Sequence, residues 1–119
     1  MKSGKEWTLE STGEFLEWFA SQAESVREAV RAYVKLLLTK GSSLGRPYVD
    51  TLKGSRYPNL KELRVQALGR KYRIAFIFTV DRVCLLLTGD VKGGPEDKRF
   101  YKKLIAEAES LYEAYLVSN

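Results

Sequence analysis

From Tyr72 to Val80 apolar side chains recur at every second position, as Tyr72, Ile74, Phe76, Phe78 and Val80, while Ala75, Ile77 and Thr79 occupy the positions between. Period two predicts a β-strand over 71–80, and apolar residues on both parities predict one that is covered on both faces. Shorter patterns predict strands over 60–66 and 83–89. Residues 67–70 form the first link, with Gly69 able to take positive φ. Asp81 and Arg82 leave a two-residue connection for the second, which predicts a tight hairpin. Upstream the period changes to that of a helix. Val26, Val30, Tyr33, Val34 and Leu37 share one face over 24–40, and Gly41 is placed to stop the helix. A shorter helix over 12–21 would bury Phe15, Leu16 and Phe19, with Ser11 and Glu14 at capping-box spacing. These two helices are expected to form an antiparallel pair. Before them, Trp7 and Leu9 alternate inward in a short strand over 6–10. Residues 41–59 are rich in Gly, Ser and Pro and read as an extended loop with a turn-like tip at 54–58. A loop over 90–95 leads to a last helix over 96–117, striped by Leu104, Ala108, Leu111 and Tyr115, with Glu96 and Asp97 complementing its dipole. The order β-α-α-β-β-β-α predicts one α+β domain spanning 1–119: an antiparallel sheet packed against an N-terminal helix pair and a C-terminal helix.

Charge adds direction to this picture. Residues 40–103 hold fifteen of the twenty Lys and Arg but six of the fifteen Asp and Glu. That window carries +9, while the remainder of the chain carries −4. Cations on predicted strands are positioned cations, and they suit a phosphate-bearing partner such as RNA or DNA, or an acidic protein segment. Other classes drop out. No run of about eighteen apolar residues exists to span a membrane. The first ten residues lack the apolar core of a signal peptide, so a cytoplasmic location is expected. Cys84 is the single cysteine. It has no internal disulfide partner and sits in an apolar strand pattern, where a small core hydrophobe is expected. The chain contains no histidine. Ser-His and Cys-His nucleophile pairs and His-ligated zinc are therefore excluded, and any catalysis falls to Lys, Arg, Tyr, Asp or Glu.

Five stretches carry a likeness to a known family: FLEWF at 15–19, GRPYVDTLKGSRYPNLKELR at 45–64, YRIAF at 72–76, LLLTGD at 85–90 and FYKKLIAEAESLYEAYL at 100–116. With them in this order, the chain resembles the RelE/ParE toxin superfamily, and in particular its phage-derived HigB-like branch. The resemblance implies a bacterial or phage-borne toxin of a type II toxin–antitoxin pair. Such a toxin is a small basic RNase that enters the ribosomal A site and cuts mRNA, with neither metal nor cofactor. It implies a HigA-like helix-turn-helix antitoxin as partner, with operator DNA met only through that antitoxin. This chain departs from the pattern in three places. The segment GDVKGGPEDKRFY aligns loosely, Phe100-Tyr101 stands where many relatives have Trp-Tyr, and no His is present although some HigB toxins use one. ParE-type members of the same fold attack DNA gyrase, so a non-nuclease relative that targets gyrase, or only binds antitoxin and operator, stays open as the alternative.

Metal-independent RNA cleavage requires a proton taken from the 2′-hydroxyl, a stabilised pentacoordinate phosphate and a proton given to the 5′-oxygen. Arg73, on the central strand and off the Tyr72–Ile74–Phe76 stripe, is the first candidate for the phosphate, because a guanidinium binds it bidentately and stays charged. Arg64 in the ELR motif is the second. The resemblance points to Tyr101, at the start of the last helix, as proton donor or acceptor, and nearby cations are expected to lower its pKa from about 10. Lys92 completes the catalytic set. Lys61, Arg70, Lys71 and Arg99 are candidate phosphate contacts, and Tyr57 in the loop tip is a candidate base-stacking ring. Plainer roles compete. Arg73 could pair with Glu62 or Asp90, Tyr101 could be a core aromatic, and Lys92 could be merely solvated. The Lys98-Arg99 and Lys102-Lys103 pairs read as a solvated helix face that could also guide phosphate. The nuclease reading requires Arg64, Arg73, Lys92 and Tyr101 to converge on one concave surface.

Overall fold

A computed structural model of the chain describes residues 7–94 and 97–118. The strand predicted over 6–10 is β1, Thr8–Ser11, with Glu6 outside the described residues. Two helices follow, α1 at Gly13–Ala20 and α2 at Glu24–Lys40. After a 3₁₀ turn come β2 (Val49–Thr51), β3 (Leu60–Ala67), β4 (Arg70–Phe78) and β5 (Val83–Lys92). The last helix, α3, spans Asp97–Ser118. The Glu96 contribution to its dipole lies outside the described residues. The five strands form one sheet in the order β1-β5-β4-β3-β2. No helix among the described residues is long and apolar enough to cross a membrane.

The α+β class and the sequence of helices and long strands agree with the sequence reading, and three details differ. First, β1 pairs with β5 in parallel, so the sheet is mixed. Alternation of Trp7 and Leu9 carries no information about strand direction, and the two helices between β1 and β2 carry the chain away from it. Second, β2 lies inside the predicted loop, paired antiparallel with β3. Three residues are too few to show a period. Third, the turns exchange roles. Leu68 and Gly69, both at positive φ (53° and 69°), make the two-residue link between β3 and β4. That is the geometry that matches the twist of paired strands. The link from β4 to β5 is longer, closed by Thr79 N–H on Val83 O at 2.8 Å. Val80 sits at its tip and is 98% exposed, not inward as its alternation suggested.

The cap of α1 also shifts by one residue. Thr12, not Ser11, accepts from the Phe15 N–H at 3.0 Å, and its hydroxyl donates to Leu87 O at 2.6 Å. One side chain thus caps the helix and ties it to β5. Leu16 and Leu9 turn outward. The predicted stripe of α2 is buried at Val26, Val30, Val34 and Leu37.

Two cores result, one on each face of the sheet. Phe15, the α2 stripe, Leu63, Val65, Tyr72, Ile74, Phe76 and Cys84 fill the face under α1 and α2. Leu60, Ala75, Ile77, Leu85 and Leu87 meet Leu104 and Ala108 of α3 on the other. β4 is covered on both sides, as its two apolar parities require. Gly89 permits a close approach of α1 to the sheet: a Cβ there would stand 2.6 Å from the Trp18 ring. Cys84 is fully buried, and burial pushes its thiol up to about 12. It behaves as a small hydrophobe and not as a nucleophile.

Candidate nucleic-acid cleavage site

Strand periodicity determines which charges share a face. On β3, Leu60, Glu62 and Arg64 point to the α3 side while Leu63 and Val65 point to the other. On β4, Lys71 and Arg73 join Ala75 and Ile77 on the α3 side. Register then sets Arg64 opposite Arg73, and Lys71 opposite Lys92. Like charges directly opposite one another repel, so this corner of the sheet is built for an anion. α3 covers the apolar half of the face and leaves the charged half as a cleft of about 460 Å³. Arg64, Lys71, Arg73, Lys92 and Tyr101 all line it, around the carboxylate of Glu62.

Glu62 is the hub. Its side chain and that of Arg73 are each only 4% exposed. Arg64 Nη1 donates to Glu62 Oε2 at 2.7 Å. Glu62 Oε1 stands 3.6 Å from Arg73 Nε, an ion-pair distance, and accepts no hydrogen bond of ordinary geometry. Arg73 is oriented by two further contacts, Nε to the Tyr101 hydroxyl and Nη1 to Tyr72 O, both 3.2 Å. Its pairing with Glu62, foreseen as a plain alternative, is real, and it coexists with a place on the cleft. Asp90 lies opposite Arg73 in register, and its carboxylate accepts from the Val91 N–H at 2.8 Å.

The Tyr101 phenol shifts opposite to expectation. Burial raises its pKa, and the facing Glu62 carboxylate raises it further, against a smaller lowering by Arg73. A half-buried ring beside an anion holds its proton, so Tyr101 is equipped as a donor. At the cleft mouth Lys92 Nζ lies 2.5 Å from Asp97 Oδ1. That contact with Lys92 holds the Asp97 carboxyl below its usual range. Arg46 and Asp50 close the opposite wall at 2.7 Å. The solvated-loop alternative for Lys92 does not hold, since its side chain is 14% exposed.

The remaining candidates are not brought to this cleft. Lys61 and Arg70 fall on the other strand parity, away from Glu62 and Arg73. Arg99 is exposed on α3 and does not line the cleft. Tyr57 is not a free loop-tip ring: its hydroxyl donates to Glu113 Oε2 at 2.7 Å, and its ring meets Tyr112 edge-on. Sequence reasoning treated Glu62 only as a counter-ion and missed Arg46, Asp50, Lys53 and Asp97 on the walls. For Glu62 a signal existed, since it lies two residues before Arg64 and therefore on the same strand face.

Comparison with known proteins agrees with this architecture. Residues 17–113 match the family described as Phage derived protein Gp49-like (DUF891). Two Mycobacterium tuberculosis proteins that carry toxin names are similar. HigB2 is 34% identical over 83% of this chain and 49% of its own length, and HigB3 is 37% identical over 85% and 86%. The chain thus spans about half the length of HigB2. Among solved structures, a doubly substituted E. coli RelE in the free state superposes with a TM-score of 0.61 at 17% identity, covering 88% of this chain and 96% of its own. RelE in the intact E. coli RelBE toxin–antitoxin complex gives 0.56 at 16%, covering 75% and 99%. The archaeal RelE–RelB complex from Pyrococcus horikoshii gives 0.55 at 17%, covering 75% and 98%. Taken together, these matches make the chain a member of the phage-derived Gp49-like family, related to the HigB toxins and sharing the fold of RelE.

Proposed function

We infer that this protein is the toxin of a type II toxin–antitoxin pair and acts as a ribosome-dependent, metal-independent mRNA endoribonuclease. The observation that carries this reading is the convergence of Arg64, Arg73, Lys71, Lys92 and Tyr101 on one cleft around the buried carboxylate of Glu62. The cations suit a phosphodiester. Arg73 sits deepest and stabilises the charge that develops on the pentacoordinate phosphorus, with Arg64 beside it. Glu62 Oε1 accepts no hydrogen bond of ordinary geometry, which leaves it the candidate proton acceptor. In the proposed step Glu62 takes the 2′-hydroxyl proton and the 2′-oxygen bonds to phosphorus. The bond from phosphorus to the 5′-oxygen breaks, and Tyr101 protonates that oxygen. The products are a 2′,3′-cyclic phosphate and a 5′-hydroxyl. Burial and the facing Glu62 carboxylate keep Tyr101 protonated, as a proton donor requires.

The partners follow from the same reading: a HigA-like helix-turn-helix antitoxin, the ribosome with its mRNA in the cytoplasm, and operator DNA only through the antitoxin. The RelE–RelB complexes among the structural neighbours support an antitoxin partner. Expression in a bacterial host without antitoxin is expected to arrest growth and truncate mRNAs inside coding regions. Arg73→Ala is expected to abolish truncation while the protein remains folded by circular dichroism, because Glu62 keeps Arg64 as its counter-ion. Normal cutting by that variant would overturn the site. Growth arrest with DNA damage and intact mRNA would overturn the nuclease reading in favour of gyrase.

A further inference from the structure

The cleft does not end at Tyr101. A second groove of about 800 Å³ shares Lys53, Asp97 and Tyr101 with it and continues along α3. Its walls add Gly54 on one side and Lys98, Lys102, Ile105 and Ala106 on the helix, with Glu109 as its most C-terminal helix residue. From Lys98 to Glu109 is eleven residues, which at the α-helical rise is about 16 Å. That length accommodates a few nucleotides.

The chemistry of this groove is one-sided. Lys53, Lys98 and Lys102 are exposed, and none of the three makes a salt bridge among the described residues. The carboxylates present are already engaged. Asp97 holds Lys92, while Glu109 accepts from the Ser55 hydroxyl at 2.7 Å and from Arg56 Nη1 at 2.9 Å. Lys98 and Lys102 stand one helical turn apart, about 5–6 Å between β-carbons, the scale of a single nucleotide step. Tyr101, Ile105 and Ala106 form an apolar strip beside them. A cation row flanked by an aromatic and apolar strip is the composition of a groove that follows a single strand, with charge on the phosphates and apolar surface on the bases. Packing does not explain the lysines, since both helix positions point to solvent while Leu104 and Ala108 serve the core.

We propose that this groove is a second subsite for single-stranded RNA, holding nucleotides that flank the cleaved linkage, with Lys53, Lys98 and Lys102 on their phosphates. The identity of the strand rests on the nuclease reading; the binding does not. Glu109, closed off by Ser55 and Arg56, marks the end of the track.

The test uses the full chain and 2′-O-methyl oligoribonucleotides, which lack the hydroxyl needed for cleavage. A dinucleotide fills the cleft alone, and a hexanucleotide also enters the groove. Fluorescence anisotropy is expected to show tighter binding of the hexanucleotide by the unaltered protein. Lys98→Ala/Lys102→Ala is expected to lose most of that gain and to bind the dinucleotide normally. Its salt dependence should weaken by about 0.7 in log–log slope per lysine removed, the single-strand value. Lys98→Glu/Lys102→Glu should lose more, with an unchanged melting temperature for both. Equal binding of the two lengths by the unaltered protein, or an unchanged length dependence and salt slope in the variants, would overturn the proposal. Cleavage of unmodified mRNA on ribosomes, assayed in parallel, separates the two readings. Loss of length-dependent binding in the variants of a protein that never cuts leaves the groove standing without the nuclease. Cutting by a protein whose oligonucleotide binding is indifferent to both double substitutions leaves the nuclease standing without the groove.

Discussion

A guanidinium that is 4% exposed, 3.6 Å from an equally buried carboxylate, is costly to desolvate and fragile to edit. Arg73 and Glu62 therefore tie stability to function in one pair. Glu62→Ala would leave Arg73 buried without its counter-charge, and breaking such a pair costs about 3–5 kcal/mol. Urea denaturation is expected to register that loss. Glu62→Gln keeps the shape and a polar contact to Arg64, so it should stay folded yet lose mRNA cleavage, because an amide accepts no proton at neutral pH. Tyr101 gives the complementary expectation. Its raised pKa keeps the phenol protonated across the neutral range, so cleavage should hold there and decline only above the ordinary tyrosine value of about 10. Tyr101→Phe should lower the cleavage rate by about 10²–10⁴-fold and erase that alkaline decline. A full-rate Tyr101→Phe would remove it from the chemistry.

Helices and strands here are held by few, specific contacts. α1 is short, and two side chains fix it to β5: Thr12 bonds Leu87 O, and Trp18 lies against Gly89. Gly89→Ala would drive a methyl group to 2.6 Å from the Trp18 ring, too close for any side chain to keep its place. Overpacking of this kind costs about 1–3 kcal/mol, so the denaturation midpoint should fall. Gly89→Ala combined with Trp18→Ala should recover part of it. Because Gly89 faces α1 while Asp90 stands opposite Arg73 in register, the alanine variant should cleave mRNA at the normal rate once folded. α3 has a different restraint. Arg56 bridges Glu109 and Glu113, Ser55 donates to Glu109, and Tyr57 donates to Glu113. These contacts clasp the 52–57 loop onto the middle of the helix whose start carries Tyr101.

That clasp joins segments more than fifty residues apart in the chain, and it gives the molecule an acid sensitivity. The Ser55 hydroxyl and the Arg56 N–H hold the Glu109 carboxyl below its usual range, and Tyr57 and Arg56 do the same for Glu113. Folded values below the unfolded ones mean that the clasp stabilises fully above the ordinary glutamate pKa of about 4.3. Its contribution is lost as pH falls through the depressed folded values. Melting temperatures measured from neutral to acidic pH should therefore drop less steeply in Glu109→Gln/Glu113→Gln than in the unaltered chain. An equal slope would show that other carboxylates set the acid limit. The charge asymmetry acts on the same scale. Eight of the fifteen cations in residues 40–103 line the cleft or its continuation along α3, while the α1–α2 side carries the larger core.

Much of this was legible in the residues alone. Period-two and period-3.6 patterns give the long strands, the three helices and the double burial of β4, because alternation is a local property of the backbone. The charge bias and the absence of histidine narrow the chemistry by composition. Arg64, Arg73, Lys92 and Tyr101 could be named from strand parity and from family likeness, and they do converge. Lys61 and Arg70 fail by parity, and Tyr57 fails because its partner Glu113 lies fifty-six residues away. The parallel pairing of β1, the short β2, the bulge between Ala75 and Phe76, and the standing of Glu62 as the centre of the cleft came only with the fold. Local periodicity says which way a side chain points; long-range register decides what it meets there, and a pKa depends on what it meets. The Tyr101 phenol, expected to be lowered by cations and instead raised by burial and a carboxylate, shows that difference in one group.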